Sequence, residues 1–180
     1  MARTLVISDL HLKHQNMLTY CQRPENFTEL IVKNYKELVG PEDTVINLGD
    51  VGIGKFDDWK DIIPSLPGKK ILVRGNHDKK SCDWYVSHAG FDFACDGLIY
   101  RGVWLTHKPA ESLPEGCQYN IFGHLHNIRD GFNKEGVKVA GLKYPWQRLF
   151  ALEYTDYKPI EFNEFLAHPQ KYQATGPKKI

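Results

Sequence analysis

The apolar run Lys70-Ile71-Leu72-Val73-Arg74 ends in Gly75-Asn76-His77-Asp78, a glycine followed by side chains able to hold a metal or a proton. A buried strand that stops this way delivers chemistry to the carboxyl edge of a sheet, where open α/β folds place their sites. The event recurs along the chain. Leu5-Val6-Ile7 runs into Ser8-Asp9-Leu10-His11, Val45-Ile46-Asn47-Leu48 into Gly49-Asp50, Trp104-Leu105 into Thr106-His107, and Asn120-Ile121-Phe122 into Gly123-His124-Leu125-His126. One edge of one sheet would collect them all.

Between these runs the pattern reads β-α-β-α-β up to Asp78, which implies a sheet with parallel pairs. Thr4 to Ile7 is expected as a central strand. From Asn26 to Val39 the residues Phe27, Leu30, Ile31, Tyr35 and Leu38 fall at helical spacing, with Asn26 and Glu29 placed as a capping box and Gly40-Pro41 as the stop. Thr44 to Leu48 reads as a strand. Phe56, Trp59, Ile62 and Ile63 suggest a short helix ended by Pro64, and Trp84 to His88 one or two further turns. Phe91-Asp92-Phe93, Leu98-Ile99-Tyr100 and Val103-Trp104-Leu105 then follow in quick succession, which predicts antiparallel pairing in a second sheet. Val137 to Ala140 and Phe150 to Tyr154 are expected to continue that sheet. Residues 1–172 read as a single domain, and Gln173 to Ile180 as a disordered tail.

Charge narrows the partners. With 23 basic and 22 acidic residues the chain carries a net charge of +1, so no global field draws it to nucleic acid or a membrane. Any phosphate binding must be local. Cys21, Cys82, Cys95 and Cys117 show no CxxC spacing and read as idle thiols. No apolar run approaches the ~20 residues of a membrane span, and a cleavable leader of ~15–30 residues would carry Asp9 and His11 away with it. A soluble cytoplasmic protein is the expectation.

An isolated Asp after a strand is usually a turn residue, and an isolated His an ordinary polar group. Here two Asp, one Asn and five His converge on five strand ends, and only His14, His88 and His168 of the eight histidines lie outside the set. Imidazole, carboxylate and amide oxygen together suit Mn, Fe, Co, Ni or Zn better than Mg. Seven ligands are too many for one such ion with an open position and about right for two. Two divalent ions, less the charges of Asp9, Asp50 and a bridging hydroxide, leave a centre near +1, ready for an anionic phosphoryl group.

Asp9-x-His11, Gly49-Asp50, Gly75-Asn76-His77-Asp78, His107 and Gly123-His124-x-His126 resemble, in order, the five-block signature of the calcineurin-like metallophosphoesterase superfamily. His14, Asn16, Cys21-x-Arg23-Pro24 and Val39 to Thr44 are further similar to a group of small bacterial and phage phosphoesterases. The resemblance implies an α/β fold of two mixed β-sheets packed as a sandwich and flanked by helices. It also implies two divalent ions, with Mn the leading choice and Fe, Zn, Ni or Co the others. Asp9, His11 and His126 would hold the first ion and Asn76, His107 and His124 the second, with Asp50 between them. His77 would contact the phosphate and protonate the leaving oxygen, opposite attack by the bridging hydroxide.

Arg23 and Lys108 are expected to hold non-reacting phosphate oxygens, and His14 to bond a ligand. The expected substrate is a small phosphate ester or nucleotide-like molecule, with a diester favoured over a monoester. The alternatives are a phosphomonoesterase, a nuclease, for which the neutral charge is unfavourable, and a non-catalytic scaffold of the same fold. Lys143-Tyr144-Pro145-Trp146-Gln147-Arg148 mixes cations with aromatics as a nucleic-acid platform does, but reads as a packed turn between strands.

Overall fold

The computed structural model describes residues 1–127 and 142–172. Leu5, Val6 and Ile7 are buried in succession, as suits a strand covered on both faces. They lie in β1 (Thr4–Ile7), which pairs in parallel with β2 (Thr44–Asn47). Next in line, all parallel, come β3 (Lys69–Val73) and β4 (Phe93–Cys95), while the short β9 (Ile160–Glu161) pairs antiparallel on the far side of β1. The strand order is therefore β4-β3-β2-β1-β9. A second sheet has the order β5-β6-β7-β8, from Leu98–Tyr100, Val103–Thr106, Tyr119–Phe122 and Gln147–Leu149.

The two mixed sheets meet in a shared core. Thr4 Oγ1 lies 2.9 Å from Tyr100 OH across them, and the Tyr100 ring sets its edge on Phe162 at 5.0 Å. Helices α1 (Met17–Tyr20), α2 (Phe27–Leu38), α3 (Cys82–Ala89) and α4 (Phe162–Ala167) flank them, giving the α/β architecture expected. The α2 helix buries Phe27, Ile31 and Tyr35, spaced four apart on one stripe.

Several local expectations are corrected. Asn26 makes no side-chain cap, because its backbone is at φ −92°, ψ 23° rather than extended; Glu29 instead pairs outward with Lys13 Nζ at 2.5 Å. Pro64 does not end a helix. It opens a 3₁₀ turn, Ile63–Ser65, where its missing N–H costs nothing, and Phe56–Asp58 is a separate turn.

Within the second sheet only β5 and β6 pair antiparallel, around a turn in which Arg101 (φ 50°) and Gly102 (φ 74°) are both left-handed. The α3 crossover returns β4 to the first sheet beside β3, and β6, β7 and β8 run parallel. Strand ends bearing the expected ligands thus come from two sheets, β1 to β3 in one and β6 and β7 in the other, and not from one edge of one sheet. Phe150, Ala151 and Leu152 are buried consecutively rather than alternately, so the chain leaves the ladder after Leu149 and turns at Leu152–Tyr154.

Before β8, the Tyr144 and Trp146 rings stack at 4.8 Å, and the Gln147 side chain accepts from the Lys143 and Tyr144 N–H groups, as a packed turn requires. The strand expected at Val137 to Ala140 and the tail from Gln173 fall outside the described residues. All four cysteines are free, and no described helix is long and apolar enough to cross a membrane.

Candidate metal centre

Past their last residues, β1 and β2 stay zipped: Asp9 N–H donates to Gly49 O, His11 N–H to Asp50 O, and Leu12 N–H to Val51 O. Within this zipper Asp9 (φ 53°), His11 (φ 45°) and Asp50 (φ 56°) are left-handed, as are His124 (φ 70°) and His126 (φ 50°). Such a conformation costs a non-glycine residue about 1–3 kcal/mol and persists only where the surroundings enforce it. Leu10, between two such residues, is buried in the core, while Asp9 and His11 both reach one cluster.

Two clusters result. Donor atoms of Asp9, His11 and His126 lie within 4.8 Å of one another, and so do those of Asp50, His107 and His124. Asp50 links them, its Oδ2 standing 3.6 Å from His11 Nε2 and 3.3 Å from His107 Nε2. Asn76 joins the second cluster through Oδ1, 2.9 Å from His107 Nε2. The glycines leave room for this convergence. A Cβ on Gly75 would overlap Asp50 Oδ1, and one on Gly123 would overlap Ser8 Oγ and Asp9 Oδ2.

The donor set fits divalent cations. Asp9 Oδ1 and both ring nitrogens of His11 are buried without a hydrogen-bond partner, an arrangement that is costly unless a cation takes them up. His107 Nδ1 stands 2.8 Å from the Leu48 carbonyl, which fixes the ring and turns Nε2 towards Asn76 Oδ1, His124 Nδ1 and Asp50 Oδ2. Burial lowers the His107 pKa, but the Asp50 and Asp9 carboxylates outweigh it and raise the value. A proton and a metal therefore compete for the same nitrogen.

The first cluster splits its histidines. Burial, with His126 adding to it, pushes His11 down to about 2. Burial acts the same way on His126, but Asp9, Cys21 and Glu153 together push it up to about 11. Asp50 is penalised by burial yet held at about 2, chiefly by His107. Burial, His107 and Lys108 lower His124 against the pull of Asp9.

His77 stands at the open side. Its side chain is 46% exposed, Nε2 lies 4.0 Å from Asp50 Oδ2, and its backbone N–H donates to Asp50 Oδ1 at 2.8 Å. The His14 ring lies 5.6 Å from that of His11, beside the first cluster, and Lys108 is exposed next to His107.

Arg23 is a correction. Expected to face a phosphate, it is buried behind the Asp9-Leu10-His11 loop, where Nη2 donates to Asp9 O at 2.8 Å, Nη1 to Leu10 O at 2.9 Å and Nε to Glu153 Oε1 at 2.9 Å. Sequence reasoning also missed two supporting carboxylates. Asp78 accepts the N–H groups of Asp50, Val51 and Gly75 at 2.7–3.1 Å, a role foreshadowed only by its place at the end of the Gly-Asn-His-Asp block. Glu153, buried against Arg23 and His126, gave no signal, lying in a stretch that read as a strand.

A family model described as calcineurin-like phosphoesterase matches residues 2–169. An uncharacterized protein of Methanocaldococcus jannaschii is 35% identical over 172 residues, spanning 91% of this chain and 89% of that one. The Gene 66 protein of Mycobacterium phage L5 is 32% identical over 87 residues, or 43% of this chain and 41% of its own. The crystal structure of a protein of unknown function from Aquifex aeolicus superposes with a TM-score of 0.70 at 28% identity, covering 93% of this chain and 99% of that one.

Proposed function

Since the chain belongs to the calcineurin-like phosphoesterase family, we propose that its two clusters hold a pair of divalent ions that hydrolyse a phosphate ester, a diester in preference to a monoester. Asp9, His11 and His126 bind one ion; Asn76, His107 and His124 bind the other. The observation that carries this reading is Asp50 Oδ2, set between His11 of one cluster and His107 of the other, as a shared ligand must be. An ion pair so placed supplies an activated water as nucleophile and a clamp on the phosphoryl oxygens. Mn suits this mixed donor set, with Fe, Zn, Ni and Co as the other choices.

The chain's own residues do the rest. His77, exposed beside the centre, contacts the phosphate and gives its proton to the leaving oxygen, while its backbone N–H keeps Asp50 aimed. His14 lies close enough to steady the His11 side of the centre.

The described cations support the preference for a diester. A bidentate guanidinium favours a monoester dianion, and among the described residues Arg23, the guanidinium expected in that role, is turned into the core. Lys108, exposed after His107, suffices for a diester carrying one charge. Four free thiols suit a reducing compartment, so the reading extends to the cytoplasm.

The test is hydrolysis of bis-p-nitrophenyl phosphate beside p-nitrophenyl phosphate by metal-stripped protein reloaded with Mn²⁺. Faster turnover of the diester is expected. Faster turnover of the monoester would make the enzyme a phosphatase, and no turnover of either with two ions bound would favour a scaffold.

A further inference from the structure

Behind the first cluster lies a third group: donor atoms of Cys21, His126 and Glu153 fall within 4.8 Å of one another. Arg23 settles what this group does. Its guanidinium Nη2 lies 2.8 Å from Glu153 Oε1, with both side chains buried, and supplies the positive charge that a cation would otherwise bring. The same Oε1 stands 3.4 Å from His126 Nδ1, facing it at ion-pair distance without hydrogen-bond geometry, and His126 Nε2 points the other way, 3.7 Å from Asp9 Oδ1. Arg23 lies over the Phe27 and Tyr157 rings and also donates to the carbonyls of Asp9 and Leu10, so the guanidinium grips the left-handed turn that carries Asp9 and His11. One buried pair thus touches the supports of all three ligands of the first cluster.

A buried ion pair adds little stability over an apolar pair of equal volume. Stability therefore does not account for this one, whereas orientation does. A carboxylate facing Nδ1 favours a proton on that nitrogen and leaves the Nε2 lone pair for a metal, as carboxylates behind metal-bound histidines do. We infer that Arg23 and Glu153 form a positioning clasp that sets the tautomer of His126 and the curvature of the Asp9–His11 loop, and so governs the affinity of the first ion without affecting the second. This rests on the dinuclear reading above.

The test titrates full-length, metal-stripped protein with Mn²⁺, following heat and the electron paramagnetic resonance of bound ion. Glu153→Asp keeps a negative charge near Arg23 but draws the carboxylate back from both Arg23 and His126. The variant should bind one ion roughly 10–100-fold more weakly, with the other ion unchanged and the metal-free protein still folded. Unchanged affinity at both ions, or equal loss at both, overturns the clasp. The wild type provides a check that needs no variant: in Zn²⁺-loaded protein the His126 Nδ1–H should give a slowly exchanging ¹⁵N-coupled resonance, and metal on Nδ1 overturns the proposal. Wild-type protein that takes up no Mn²⁺ is a different failure, because it removes the dinuclear reading on which the clasp depends.

Discussion

The two clusters meet at Asp50 but are braced by different means. Around the second, the braces reach backbone of paired strands: His107 is fixed on the Leu48 carbonyl just past β2, and Asp78 gathers three N–H groups at the ends of β2 and β3. Around the first, the brace is the Arg23–Glu153 pair, two side chains 130 residues apart in the sequence. The second cluster is therefore nearly as secure as the sheet that carries it. The first depends on a buried charge pair in which the loss of either partner leaves the other uncompensated.

Asp50 is where the comparison breaks most completely. Replacing it with Ala removes an oxygen close to both His11 and His107, so turnover should vanish and both ions should bind more weakly. Equilibrium dialysis against Mn²⁺ beside the hydrolysis assay reads both effects. Either ion held at wild-type affinity would show that the clusters are independent.

His77→Ala tests the opposite case, a change that touches neither brace. Its imidazole is exposed and the backbone N–H that holds Asp50 remains. Both ions should be retained while turnover falls by about 10²–10⁴-fold, the usual worth of a general acid. An unchanged rate removes His77 from the chemistry.

What could be read in the sequence follows the same division. Every ligand of the second cluster sits within a short block after a strand, and its brace, Asp78, closes the Gly75-Asn76-His77 run. Local spacing carries such information. The first cluster's ligands were equally plain, but its brace was not, because Arg23 and Glu153 meet only once the chain after β8 folds back on the β1 loop. Arg23 near His14 reads as a cation for a phosphate oxygen until burial places it. The sheets show the same limit. Runs of buried residues marked most of the strands, yet which sheet β4 joins is decided by the α3 crossover and not by its own residues.

The brace of the second cluster can be removed without touching a ligand. Asp78→Ala leaves the N–H groups of Asp50, Val51 and Gly75 without their carboxylate acceptor. Each buried donor left unpaired costs about 1–3 kcal/mol, and a total of about 3–5 kcal/mol is expected in urea unfolding of metal-free protein. Glu153→Asp should show itself first in the affinity of one ion. Asp78→Ala should lower stability first, and a loss below about 1 kcal/mol would show that this cluster does not lean on its backbone.

The smallest effect belongs to a carboxylate outside both clusters. Asp43, just before β2 and at the opposite end of that strand from Asp50, accepts the N–H groups of Arg3 at 2.7 Å and Gly40 at 2.9 Å and pairs with the Arg3 guanidinium. The guanidinium first, then the two N–H groups, hold its pKa well below the ordinary 3.8. A carboxyl depressed in the folded state binds fewer protons there than when unfolded, so its stabilisation is complete above about pH 4 and drains away as pH falls below that. Asp43→Asn should therefore cost about 1–2 kcal/mol near neutral pH, with the gap from wild type closing in acid. The pH–rate profile should not move, because no ligand of either cluster is within reach of this pair. A gap that persists at low pH would mean the charge of Asp43 contributes nothing. A shifted rate profile would mean that the far end of β2 communicates with Asp50, and that backbone bracing extends along the whole strand.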